Sequence, residues 1–229
     1  EKHMARFRSS AKILGYDLNI TDSKLQSEIR KLSKMSDIPY GNIKIIANNL
    51  GHDEQDVYMY FMVSKYPTEK EIEKGVPLIL YRSERNNPSA KSTDLSFRKG
   101  INEKIQECGA YEALLLNSRD EITEGSKSNV FFEKGGKLYT PPLGSVLAGV
   151  TRSCVLEICS SLSIPVVEAQ VSKNFLNEID GLFITGTSPQ VLPVSSVDGR
   201  EYKSSSDEYI TKIRKSYEKL VHDYISSNK

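Results

Sequence analysis

Between Glu121 and Arg152 the chain places an acid, a hydroxyl-rich turn and a helix start within one short stretch. Glu124 is followed by Gly125, Ser126 and Ser128, a turn that glycine makes flexible and serine makes polar. A β-rich run from Asn129 to Glu133 comes next, Gly135-Gly136 turns the chain, and Lys137 to Thr140 reads as the returning strand. The stretch closes at Gly149, ahead of a helix whose Val155, Ile158 and Leu162 recur at helical spacing. Glycine at that place leaves the amides of Val150 and Thr151 pointing outward at the positive end of the helix dipole, a seat for phosphate. One hairpin thus predicts a carboxylate at one end and an anion seat at the other.

These groups need elements to position them. The chain opens in a helix with Met4, Phe7, Ala11 and Leu14 on one face. Thr21 or Asp22 caps a second helix with Leu25, Ile29, Leu32 and Met35 inward. Two β-rich runs, Asn42 to Ala47 and Val57 to Val63, form a hairpin across a loop holding Gly51, His52 and Asp53. Thr68 to Lys74 is a short charged helix or linker, and Gly75-Val76-Pro77 leads into a strand over Leu78 to Tyr81. The domain boundary falls there, giving domains 1–74 and 75–229.

Asn86-Asn87-Pro88-Ser89 is a turn that delivers Lys91 to a helix running towards Cys108 and ended by Gly109. Tyr111 to Asn117 reads as a buried strand and Pro165 to Glu168 as another, followed by a short helix capped by Ser172. Gly181 to Thr185 runs into Gly186-Thr187-Ser188, and Asp198-Gly199 makes a hairpin turn. A last helix from about Ser206 sets Tyr209, Ile213, Tyr217, Leu220 and Tyr224 on a face that docks on the sheet.

Bulk properties exclude several classes of function. The 229 residues carry a formal charge of +1, with 27% charged and 38% hydrophobic residues interspersed along the chain. That pattern suits a globular cytoplasmic protein without a nucleic-acid or membrane surface. No apolar run reaches the length of a membrane span and no secretory signal opens the chain. Cys108, Cys154 and Cys159 read as reduced thiols, the last two packed on a helix. Three histidines are too dispersed for a metal site. A dinucleotide fold is excluded because no Gly-x-Gly-x-x-Gly follows a strand.

Glu124-Gly125-Ser126-x-Ser128-Asn129-Val130-Phe131, Gly149-Val150-Thr151-Arg152 and Gly186-Thr187-Ser188 with Pro193-Val194 together resemble the fold-type IV pyridoxal-phosphate enzymes. That family holds branched-chain and D-amino-acid aminotransferases and aminodeoxychorismate lyase. The resemblance runs in order from His3 to Arg200 and implies an α/β chain of the α+β type. A small α/β amino-terminal domain, here lacking its first strands, would join a larger carboxy-terminal pseudo-barrel domain, with the cofactor between them in a homodimer.

The resemblance also assigns roles. His3-Met4-Ala5-Arg6 followed by Ser10-Ala11-Lys12 is similar to the segment whose arginine holds the cofactor phosphate, so Arg6 inherits that role. Lys91, in Ala90-Lys91-Ser92-Thr93-Asp94-Leu95, becomes the lysine that bonds the cofactor and then shuttles the proton. Glu124 fits the pyridine nitrogen, because an ionised partner keeps that nitrogen protonated. Arg6, the Val150 and Thr151 amides, the Thr151 hydroxyl and Thr187 form the phosphate cup, and Ser126 joins the cofactor-binding set.

The substrate-carboxylate trap departs from the family. D-amino-acid aminotransferases carry an arginine and a histidine where this chain has Ser64-Lys65-Tyr66-Pro67. Branched-chain aminotransferases carry an arginine and a tyrosine around positions held here by Tyr58, Met59 and Leu95. Lys65 or Arg152 are the candidate substitutes. The implied activity is transfer of an amino group between an L-branched-chain or D-amino acid and a 2-oxo acid. The alternatives are aminodeoxychorismate lyase, releasing 4-aminobenzoate and pyruvate, and a non-catalytic pyridoxal-phosphate carrier.

Overall fold

Two compact units make up the chain in the computed structural model, Glu1–Tyr66 with Ala90–Ser92, and Pro67–Ser89 with Thr93–Lys229. The structure describes residues 1–38, 41–84, 88–91 and 95–227. The expected Asn86-Asn87 turn and Ser92-Thr93-Asp94 of the lysine motif lie outside the described residues, as does the Leu95 side chain.

The first unit holds α1 (Lys2–Ile13), α2 (Asp22–Met35), β1 (Asn42–Asn48) and β2 (Asp56–Met62). Met4, Ser10 and Ala11 are the buried residues of α1. Thr21 caps α2, its hydroxyl accepting from the Lys24 amide at 3.3 Å. Of the face expected to point inward, Leu25 alone is fully buried and Met35 is 86% exposed. The apolar periodicity of α2 therefore outruns what the unit has to pack against it. β1 and β2 pair antiparallel in the expected hairpin, and Tyr58, Tyr60 and Met62 alternate outward along β2.

The second unit opens with α3 (Glu69–Lys74), whose Thr68 and Glu71 form a capping box. Gly75 at φ +76° turns the chain into β3 (Val76–Arg82). The crossover helix α4 (Leu95–Glu107) carries it to β4 (Glu112–Leu116), which lies parallel to β3 as such a connection dictates. β5 (Glu121–Gly125), β6 (Asn129–Lys134) and β7 (Lys137–Thr140) follow, with both glycines of the β6–β7 turn at positive φ.

Helix α5 (Val150–Ser161), β8 (Val166–Glu168), β9 (Val171–Ser172) and a 3₁₀ turn (Lys173–Asn177) precede β10 (Gly181–Gly186), β11 (Gln190–Val197), β12 (Arg200–Glu201) and α6 (Glu208–Ser227). The strands join in the order β8-β7-β6-β10-β11-β3-β4-β5-β9, with β12 on β11. Only Ala169 and Gln170 separate β8 from β9, yet these strands occupy opposite ends of that order. Three residue steps span about 10 Å at most, so the two edges come together and the sheet curls into a pseudo-barrel.

Alternation along the curled strands sorts the side chains. Leu78, Leu114, Ile122, Val130, Phe132, Leu182, Ile184, Leu192 and Val194 form one buried cluster. Phe131 and Phe183, stacked at 5.1 Å, face the other way into a layer built from α5 and α6, with Val155, Ile158, Ile210 and Ile213. α4 covers β3 and β4 through Ile79, Ile101, Ala113 and Leu115. On the expected α6 face Ile213 is buried and Tyr217 packs against the same layer, but Tyr209, Leu220 and Tyr224 are 37%, 43% and 58% exposed. Cys159 is buried and Cys154 half-buried on α5, as expected for packed thiols. Among the described residues no helix is long and apolar enough to cross a membrane.

Candidate active site

In the second unit one residue gathers most of the expected site. Asn129 opens β6 and is buried. Its amide Nδ2 donates to the Leu147 carbonyl at 2.9 Å. A Cβ added to Gly149 would lie 2.0 Å from its Oδ1, so the close approach that seats the start of α5 demands glycine. Across the sheet Asn129 pairs with Thr185, one residue before Gly186 and the Thr187-Ser188-Pro189 turn. A Cβ on Gly186 would lie 3.7 Å from the Lys127 carbonyl, so this turn borders the one containing Ser126.

Glu124 is buried on β5, and its Oε2 accepts from the Leu147 amide at 3.0 Å. Glu124 and Asn129 therefore hold the two backbone groups of Leu147 between them, two residues before Gly149. The carboxylate and the helix start are tied to one short segment.

At that start Gly149 offers no side-chain cap, and its carbonyl takes the Ser153 amide at 3.0 Å and the Ser153 hydroxyl at 3.1 Å. By helix geometry the amides of the first turn point off the end without an intrahelical partner. The buried Thr151 hydroxyl lies 3.5 Å from the Tyr217 hydroxyl. Thr187 is exposed in its turn, while the Thr185 hydroxyl is fully buried and has no hydrogen-bond partner among the described residues. The second unit thus brings Glu124, Ser126, Val150, Thr151 and Thr187 to one end of the pseudo-barrel.

Ser126 sits there in an unexpected way. Its amide donates to the Ala113 carbonyl at 2.8 Å and its hydroxyl to Glu112 Oε1 at 3.3 Å. With both protons committed, Ser126 can offer a ligand only lone pairs. Glu112 is a buried carboxylate that sequence reasoning left without a role, although an acid opening the apolar run Ala113-Leu114-Leu115-Leu116 was a signal. Burial pushes its pKa up, and hydrogen bonds from the Lys127 amide and the serine hydroxyls oppose that rise.

The first unit assembles a cationic group. Spacing of three on α1 puts His3 and Arg6 on one face, and Arg6 Nη2 lies 3.3 Å from His3 Nδ1. Burial lowers the Arg6 pKa. The His3 pKa falls to about 4, through burial first and then through the charge of Arg6, with Lys91 adding to it. His3 is consequently neutral near pH 7 and accepts from the guanidinium. The Lys91 amide donates to the buried Ser10 hydroxyl at 3.1 Å and Ala90 is fully buried, so the backbone at Lys91 is anchored on α1 while its side chain is exposed.

One candidate for the carboxylate trap is spent elsewhere. Arg152 is 1% exposed, and its Nη2 reaches Glu168 at 2.6 Å and the Pro141 carbonyl at 3.1 Å. It is a clamp between α5, β8 and the chain after β7 rather than a receptor for substrate. Lys65, in the first unit, is exposed.

Comparison with known proteins points to one family. The family model described as amino-transferase class IV matches residues 1–197. The D-alanine aminotransferase of Bacillus licheniformis is 32% identical over 225 residues, covering 93% of this chain and 78% of the relative. A T.th. branched-chain amino acid aminotransferase, solved with pyridoxamine 5'-phosphate, superposes with a TM-score of 0.85 at 26% identity over 96% of this chain and 78% of that one. A Legionella pneumophila protein described as a 4-amino-4-deoxychorismate lyase matches with a TM-score of 0.85, covering 95% of this chain and 84% of that one. At 21% identity it speaks to fold alone.

Proposed function

Because the chain belongs to the class IV aminotransferases, enzymes that work with pyridoxal 5'-phosphate, we propose that it moves an amino group between a D-amino acid or a branched-chain L-amino acid and a 2-oxo acid. The observation that carries this reading is the pairing of Glu124 and Asn129 on Leu147, which ties a buried carboxylate to the open start of α5. That donor set suits a phosphorylated, cationic ring. Helix amides and hydroxyls receive a dianion, and a buried carboxylate receives a protonated ring nitrogen.

When bound, the cofactor supplies an electron sink for the bond cleaved at the substrate's α-carbon. In this reading Glu124 holds the proton on the ring nitrogen. In the second unit the Val150 and Thr151 amides, the Thr151 hydroxyl and Thr187 would hold the phosphate and Ser126 would complete the set, while Arg6 keeps the phosphate role that the family resemblance gives it. Lys91 would hold the cofactor, and its amine would take the proton from the substrate α-carbon and return it during transfer. His3, neutral beside Arg6, accepts from the guanidinium without adding a competing charge. We extend the proposal to a homodimer and to a cytosolic location. Three thiols with no disulfide between them support the last.

The test is the visible spectrum of the protein with added cofactor, before and after a panel of D- and L-amino acids. A lysine-bound band that is absent in Lys91→Ala, and that is converted to the pyridoxamine form by particular donors, is the expected result and names their chirality. A band that no amino acid converts would remove the transferase reading. Pyruvate release from aminodeoxychorismate with no oxo-acid acceptor would replace it with the lyase.

A further inference from the structure

The Gly125–Ser128 turn lies between Glu124 and Asn129, the two residues that hold Leu147, and each of its first amides is committed. Gly125 donates to the Ser128 carbonyl at 2.8 Å and Ser126 to the Ala113 carbonyl at 2.8 Å. The Lys127 amide donates to Glu112 Oε1, an atom that also takes the Ser126 hydroxyl at 3.3 Å. Glu112 lies so close beneath the turn that a Cβ on Gly125 would be 2.7 Å from Oε1 and 2.1 Å from the Ser128 hydroxyl. At 4% exposure this carboxylate has left water for the turn alone.

Resting on the function proposed above, we propose that Glu112 is a positioning residue for cofactor binding. Its carboxylate is the template on which the Gly125–Ser128 turn is set, and that turn fixes how Glu124 and Ser126 are presented. The chemistry explains why an acid stands here. Two donors converge on Oε1, and a carboxylate oxygen has the lone pairs to accept both without offering a competing proton. A glutamine would bring an NH₂ group into a pocket already filled with donors, and an alanine would leave the Lys127 amide and Ser126 hydroxyl unmatched in the interior. Glu112 itself need not touch the cofactor, because Glu124 and Gly125 end the strand on which the turn is built.

The test compares wild type and Glu112→Gln as full-length protein by three readouts. These are cofactor affinity from the visible band, hydrogen exchange of the Lys127 amide, and kcat and KM for an amino donor. The expected result is cofactor affinity weakened roughly tenfold or more. Lys127 exchange should be accelerated by a similar factor, and kcat lowered per bound cofactor with KM nearly unchanged. Should Glu112→Gln fail to fold, Glu112→Asp keeps the charge, falls one methylene short of the turn and is expected to shift the same readouts. A variant that loses thermal stability but keeps wild-type affinity and Lys127 exchange overturns the proposal and leaves Glu112 a packing residue. A wild-type protein that forms no band overturns the proposal together with the function on which it rests.

Discussion

The two units hold their candidate groups in opposite ways. In the second, Glu124, Ser126, Asn129 and Thr151 are each less than 9% exposed, and Glu124, Ser126 and Asn129 are tied to backbone groups or to another buried side chain. In the first, Lys91 is exposed and Arg6 is half-buried. All three apolar clusters described belong to the second unit, whereas the first has a two-stranded sheet with Tyr58, Tyr60 and Met62 outward. The difference teaches that the fold of the second unit sets a buried carboxylate beside the start of α5, whereas the first unit presents the Lys91 side chain at its surface.

The sharpest way to break this contrast is to remove one reactive group from each unit. Lys91→Ala should lower amino transfer by roughly 10³-fold or more. Its thermal midpoint should stay near wild type, because an exposed lysine side chain packs against little. Glu124→Ala should lose both activity and stability, since it empties a buried site and orphans the Leu147 amide. Steady-state rates beside melting curves distinguish these outcomes, and equal stability losses would erase the contrast.

Core truncation sharpens it energetically. Phe132 is fully buried in the pseudo-barrel cluster, so Phe132→Ala should cost about 3–5 kcal/mol in urea unfolding. Tyr60→Ala, on the outward face of the hairpin at 42% exposure, should cost about 1 kcal/mol or less. Glycine substitutions make the same point on a smaller scale. Gly149→Ala drives a methyl into Asn129 and should cost about 1–3 kcal/mol along with weakened cofactor binding. Gly51→Ala meets only the Tyr16 ring at 3.3 Å and should stay within about 0.5 kcal/mol.

How legible the molecule was in its sequence follows the same division. Periodicity and turn chemistry predicted the β6–β7 hairpin, the glycine before α5, the Asp198-Gly199 turn and the caps at Thr21 and Ser172, because each is a local event. The strand Glu121–Gly125 escaped, since its polar sequence becomes a strand only by pairing with β4 and β9. Closure of the sheet likewise depends on β9, two residues long, and no local signal marks so short a strand. Met35, Leu220 and Tyr224 lie on apolar stripes that the described structure leaves uncovered, so a stripe shows what a helix can bury rather than what it does bury. The family motifs pointed to Glu124 and Thr151. What they did not reveal is that Asn129 joins these elements or that Glu112 accepts from the Ser126 hydroxyl, because both facts reside in contacts between distant strands.

A last predicted effect separates the units by pH. In the second unit burial raises the Glu133 pKa to about 6. The Gly136 amide opposes that rise and Asp207 and Asp180 reinforce it. A carboxyl whose folded pKa is raised contributes stability that is full below its unfolded value of 4.5 and lost as pH climbs through about 6. His3 in the first unit has the opposite sign. Its pKa is depressed from 6.5 to about 4, so its contribution is present above 6.5 and lost as pH falls through about 4. Acidification from pH 7 to 4.5 should therefore favour the second unit while loosening the start of α1, which hydrogen exchange reports separately for each. Glu133→Gln removes the titration, and relative to wild type its stability at pH 7 should exceed that at pH 4.5 by up to about 2 kcal/mol. A difference between variant and wild type that stays constant across this range would show that the carboxyl titrates as it does in the unfolded chain, and the second unit would then lack the response to acid ascribed to it.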